Sequence, residues 1–193
     1  MAGYDVYRNG LHGAIRGLWG GAIDKDQFVS RMNTHISNRL RQAWREGAAN
    51  CDVTEDDMTE DEWKILSDIV KNEIGYLSGY ADYIIEHNKK NNGKIKPLLI
   101  RAEMWANRYP DVVDRAKVTS CGNKKLIWVY GDTEHCSDCL KYNGRVYRAS
   151  TWAKYDIRPK NSALECHGFN CHCRLDITTK PVNKGKPPAM TGG

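Results

Sequence analysis

No apolar run in this 193-residue chain approaches the roughly 18 residues that a bilayer-spanning helix requires, so no membrane segment and no membrane partner are expected. Its first residues, MAGYDVYRNGLHGAIRGLWGG, carry neither the continuous apolar block nor the small-residue cleavage site of a secretory signal. The chain is therefore expected to be made and kept in a reducing cytosol. Internal repeats are absent, which sets aside a repeat architecture. The familiar hydrolase signatures are missing too. There is no HExxH for a zinc protease, no Gly-rich phosphate loop and no GxSxG, so neither an enzymatic activity nor a small-molecule substrate is expected.

Hydrophobic residues make up 40% of the chain and charged residues 27%, the balance of a globular protein. The net charge of +5 is uneven. Residues 1–120 hold 17 Lys and Arg against 18 Asp and Glu, residues 121–180 hold 10 against 6, and residues 181–193 hold 2 against none. The basic excess thus belongs to the C-terminal third, where it permits weak, sequence-independent DNA contact.

Up to about Cys121 the apolar residues recur at helical spacing. Leu11, Ile15 and Leu18 form one stripe, closed by Gly20-Gly21. Asp24 and Gln27 form a capping box ahead of a second stripe of Phe28, Met32, Ile36, Leu40 and Trp44, with Arg31, Arg39, Arg41 and Arg45 on the other face. A second box, Thr59 to Glu62, predicts a long helix to about His87. Pro97 is read as the first residue of another helix, and Pro110 as its stop or kink. Residues 1–120 are therefore expected to be helical and bundle-like. The acidic run Glu55-Asp56-Asp57 and Glu60-Asp61-Glu62 reads as helix capping, with a nuclease centre as the alternative.

After Cys121 the pattern changes. Residues 125–130 and 145–148 are rich in β-branched and aromatic residues and predict strands, joined past an Asn143-Gly144 turn. Beyond Asp176 the composition predicts a mobile tail, 179–193. The expected class is α+β, mainly α, with a helical region at 1–120 and a small β-hairpin zinc knuckle at 121–178.

Five of the seven cysteines lie between Cys136 and Cys173. In a reducing compartment such clustering points to metal ligation ahead of disulfides or free thiols. Cys136-Ser-Asp-Cys139 and Cys166-His-Gly-Phe-Asn-Cys171-His-Cys173 offer five thiols, flanked by His135, His167 and His172, for the four seats of one structural zinc. The preferred set is Cys136, Cys139, Cys166 and Cys171, with Cys173 as substitute and the histidines at the surface. Cys51 and Cys121 read as isolated small apolar residues. A zinc deaminase would need His-x-Glu on a helix, and a thioredoxin-like motif would need a helix starting at the CxxC, where Leu140–Gly144 is instead expected to turn at once.

The run Ile127-Trp128-Val129-Tyr130-Gly131-Asp132, the Cys136/Cys139 pair, Asn143-Gly144-Arg145-Val146 and the closing Cys171-His-Cys173-Arg174-Leu175 resemble the C-terminal domain of phage head morphogenesis proteins, the Mu F-like minor head protein family. Arg101-Ala-Glu-Met-Trp-Ala-Asn107 is similar to the helical part that precedes this domain. Many members close on His-Pro-x-Cys-Arg-Cys, an element this chain replaces with the Cys166–Cys173 run. The resemblance implies a minor structural protein of a tailed phage, with portal or capsid proteins as partners, present in the host cytoplasm during assembly and then in the virion.

Overall fold

The computed structural model describes residues 2–168 and 171–191. The fold is mainly helical with one small antiparallel sheet. The helices are α1 (Ala2–Gly20), α2 (Lys25–Ala49), α3 (Glu60–Gly75), α4 (Leu77–Glu86), α5 (Ile95–Ala106), α6 (Arg108–Ser120), α7 (Ser137–Tyr142) and α8 (Ala149–Lys154). The strands are β1 (Lys125–Val129), β2 (Val146–Arg148) and β3 (Arg174–Ile177). Among the described residues no helix is long and apolar enough to cross a membrane.

The chain divides into two compact units, one drawn from Met1–Ala43 and Trp63–Tyr109, the other from Trp44–Glu62 and Pro110–Gly193. Helical segments contribute to both units.

In the first unit the apolar stripes become the core. Leu11, Ile15, Phe28, Met32, Ile36 and Leu40 are fully buried, joined by Tyr80, Ile84, Ala102 and Tyr109. Both capping boxes form. The Asp24 carboxylate accepts from the Gln27 amide at 2.8 Å, and the Gln27 side chain accepts from the Asp24 amide at 3.1 Å. Within the second unit, Glu62 returns the same favour to the Thr59 amide at 2.9 Å. The helix expected to run unbroken to His87 divides at Tyr76, directly after Gly75, a residue that weakens a helix interior by about 1 kcal/mol. Pro97 sits at the third position of α5 and Pro110 in the first turn of α6, where a missing amide donor costs nothing.

The second unit is built around the sheet, in the order β2-β1-β3 with both pairings antiparallel. Burial alternates along β1, so Leu126 and Trp128 point inward. Trp128 packs on Tyr142 with ring centroids 5.0 Å apart, and Tyr147 meets the edge of Trp152 at the same distance. The Trp152 indole donates to the Leu126 carbonyl at 3.2 Å. This aromatic box continues directly into Cys139, Cys171 and Cys173, which belong to the same core.

Several local expectations change here. A short helix, α7, starts at the CxxC motif with Cys136 as its N-cap, where a turn was expected. Its six residues are too few to reveal a helical period in sequence. Cys51 and Cys121 are not isolated: they form a disulfide across 70 residues with their Cα atoms 5.2 Å apart. Each lies just beyond the end of a helix, α2 and α6, and Gly47 of α2 approaches the Val113 carbonyl and Ala116 of α6 closely enough that a Cβ there would collide. The residues after Ile177, expected to be mobile, are hydrogen-bonded along the second unit. The Asn183 amide donates to the Val146 carbonyl at 2.9 Å, the Tyr142 hydroxyl to the Pro188 carbonyl at 2.8 Å, and Met190 packs on the core. Hydrogen bonds hold most of this strap, with Pro187 buried and Met190 packed on the core, and these tertiary contacts are not visible in its polar composition.

Candidate metal centre

The loop after β1 carries the chain from Val129 to Cys136, and α7 then turns Cys139 inward onto the core. The 157–168 segment delivers Cys166, and the approach to β3 delivers Cys171 and Cys173. All five sulfurs are unpaired and converge. They form two overlapping triads, Cys136–Cys139–Cys166 and Cys139–Cys171–Cys173, with the sulfurs of each triad all within 4.8 Å of one another. The cysteines are therefore positioned to hold a metal ion. The Cys139 and Cys171 sulfurs are 3.9 Å apart. A tetrahedral ion with bonds of about 2.3 Å to sulfur has edges of about 3.8 Å, so this pair already stands at a ligand spacing.

The preferred sequence set of Cys136, Cys139, Cys166 and Cys171 is divided by this arrangement. Its first three members form the half-exposed outer triad, while Cys171 sits in the buried inner triad beside Cys173. The flanking histidines also separate. His135 stacks on Tyr130 at 3.8 Å and brings Nδ1 to 3.7 Å from the Cys173 sulfur, so it stands beside the inner triad and not at a detached surface position. His172 turns outward to Asp132 at 2.8 Å and His167 bonds the Ser162 carbonyl at 3.0 Å, in keeping with the surface reading of both.

Backbone amides face the sulfurs: Lys160 toward Cys171, Gly131 toward Cys173 and Gly168 toward Cys166. Such donors favour thiolate over thiol. Gly131 is required for this approach, because a Cβ there would strike the backbone of His172. Within the inner triad, hydrogen bonds from Cys139 and Cys173 hold the Cys171 thiol well below its ordinary range, and the bond to Cys171 pushes Cys139 far above its own. Burial, first, drives Cys166 up to about 12.

Two groups outside the sequence expectations support the cluster. Asp138, the second spacer of the CxxC, is 0% exposed. Its carboxylate accepts from the Glu165 amide at 2.8 Å, the Thr191 amide at 2.9 Å and the Lys141 ammonium at 2.9 Å. The Ser137 amide in turn donates to the Glu165 carboxylate at 2.7 Å. These bonds clamp the segment bearing Cys166 and the C-terminal strap onto α7. The second group is a buried charge network. Asp114, 2% exposed, accepts from Lys117 at 3.3 Å, Lys160 at 3.2 Å and the Leu175 amide at 3.2 Å. The Lys160 ammonium also bonds the Cys173 carbonyl. Two cations and one anion leave a net positive charge buried beside the sulfurs. Nothing in the spacing of Asp114, Lys117 and Lys160 signals this role, since they meet only through tertiary structure; Asp138 could have been suspected from its place inside the CxxC.

No family model, no curated protein and no solved structure matches this chain.

Proposed function

We propose that the second unit is a zinc-stabilised structural module and that the protein acts in assembly, without catalysis. The observation that carries this reading is the gathering of five thiols into two overlapping triads, with three backbone amides and a buried cation beside them, on a core of aromatic and aliphatic side chains. Soft thiolates select zinc over hard cations. The metal would close the short sheet and the 157–177 segment around the aromatic box, forming a knuckle joined to a helical, bundle-like first unit. The one dense run of carboxylates offers little to a nuclease reading: Asp57 and Glu62 accept bonds from Thr54 and Thr59 as helix caps.

On the resemblance of residues 126–175, we assign this module to a minor head protein of a tailed phage, held at the portal or the capsid interior and in contact with DNA only weakly. In such a role the knuckle presents a rigid surface to a partner oligomer. Co-expression with the portal and capsid genes of the same genome tests this assignment. The chain should sediment with proheads, and the Cys139→Ser variant should not. A chain that never accompanies proheads would contradict the assignment while leaving the metal module intact.

A further inference from the structure

The six donors at the cluster do not fit a single tetrahedral ion. One ion held by four cysteines would leave a fifth cysteine and His135 idle, although His135 Nδ1 lies 3.7 Å from the Cys173 sulfur. The sulfurs are also not one cluster. They divide into an outer and an inner triad that have Cys139 in common. Cys139 is 2% exposed and stands where the triads meet, 3.9 Å from Cys171.

Resting on the metal-module reading above, we propose that the centre holds two zinc ions that share Cys139 and Cys171 as bridging thiolates. The inner ion takes Cys139, Cys171, Cys173 and His135. The outer ion takes Cys136, Cys139, Cys166 and Cys171. Eight seats are filled by six donors because two thiolates serve both ions, each a four-coordinate zinc of the ordinary kind. The Cys139–Cys171 pair is the shared edge of the two tetrahedra, at a separation close to the expected length. Cys171 stands in the inner triad, and its sulfur is the donor the outer ion shares as its fourth ligand.

Charge separates this arrangement from a single ion held by four thiolates. Two divalent ions with five thiolates and a neutral imidazole carry one net negative charge, and one ion with four thiolates carries two. The buried group formed by Lys117, Asp114 and Lys160 carries one net positive charge, with Lys160 reaching the Cys173 carbonyl and its own amide facing Cys171. A single negative charge at the centre is therefore matched inside the protein, where an unmatched buried charge is costly.

The test is the metal content of the full-length protein reconstituted with zinc and freed of excess ion, followed by replacement with cadmium-113. Two ions per chain, with two cadmium resonances split by cadmium–cadmium coupling through a common sulfur, is the expected result. Cys166→Ser and Cys173→Ser should each reduce the content to one ion, and Cys139→Ser should lose both. One ion per chain, or two resonances without mutual coupling, would overturn the shared-thiolate centre and leave the structural module standing. No ion at all would overturn both. If the serine variants fail to fold, the coupling in the wild-type protein decides alone.

Discussion

At the scale of single residues, the cluster depends most on two positions that are not ligands. Asp138 draws the Cys166 segment and the strap onto α7 through four donors. Replacing it with Ala removes the acceptor that these donors share, and thermal or urea unfolding should register a loss of about 1–3 kcal/mol. Its pH dependence follows. Burial pushes this carboxyl up, yet bonds from the Thr191 and Lys141 side chains and from the Glu165 and Thr191 amides outweigh burial and hold it below its ordinary value of 3.8. A carboxyl with a lowered folded pKa stabilises the fold fully above its unfolded pKa, and the contribution is lost as pH falls through the folded value. Unfolding free energy measured between pH 6 and about 3 should therefore decline more steeply in wild type than in Asp138→Asn. Gly131 makes the second case. Its amide faces Cys173 and a side chain would strike His172, so Gly131→Ala should weaken zinc binding by about 10–100-fold in a competition titration with a chromophoric chelator.

At the scale of elements, the disulfide between the ends of α2 and α6 and the aromatic box beneath β1 carry separate predictions. Closing a loop of 70 residues, the Cys51–Cys121 bond contributes about 2–4 kcal/mol, and Cys51→Ala with Cys121→Ala should lower the melting temperature by the same amount as adding reductant to wild type. Reductant that leaves the melt unchanged would show that the pair is not bonded in solution. Trp128 is fully buried against Tyr142 and Trp152, so Trp128→Ala should cost about 3–5 kcal/mol by chemical denaturation. Much of this element structure is legible from local pattern. The stripes through Phe28–Trp44 and the boxes at Asp24 and Thr59 are satisfied within a few residues of sequence, and β1 shows its strand character in one run. What escapes such reading is decided at a distance. The pairing of Cys51 with Cys121 needs the packing of Gly47 on α6, β3 needs β1 as its partner, and α7 is too short to show a period. The division of the five sulfurs into two triads is of the same kind, because Cys139 meets Cys171 across 32 residues.

At the scale of the whole molecule, the two units differ in what sustains them. The first has an apolar core of conventional composition, with Leu11, Ile15, Phe28, Met32 and Ile36 fully buried. The second has a sheet of three short strands and a core in which cysteines stand among aromatic and aliphatic residues. The zinc proposed for these thiolates would contribute on the order of 10 kcal/mol of folding free energy, enough to decide whether so small a sheet forms. The charge distribution bears on partners. Arg39 and Arg41 belong to the first unit, and Arg145, Arg148, Lys184 and Lys186 to the second. Binding of duplex DNA through these groups should be weak, indifferent to sequence and steeply reduced by salt, and reversing their charges should abolish it. The metal-dependence of the second unit is tested most directly by hydrogen–deuterium exchange of the full-length protein before and after zinc removal by a chelator. Chelation should expose the amides of Lys125–Val129, Val146–Arg148 and Arg174–Ile177 to exchange while α1, α4 and α5 keep their protection. Equal protection of the three strands with and without metal would contradict a structural role for the cysteine centre.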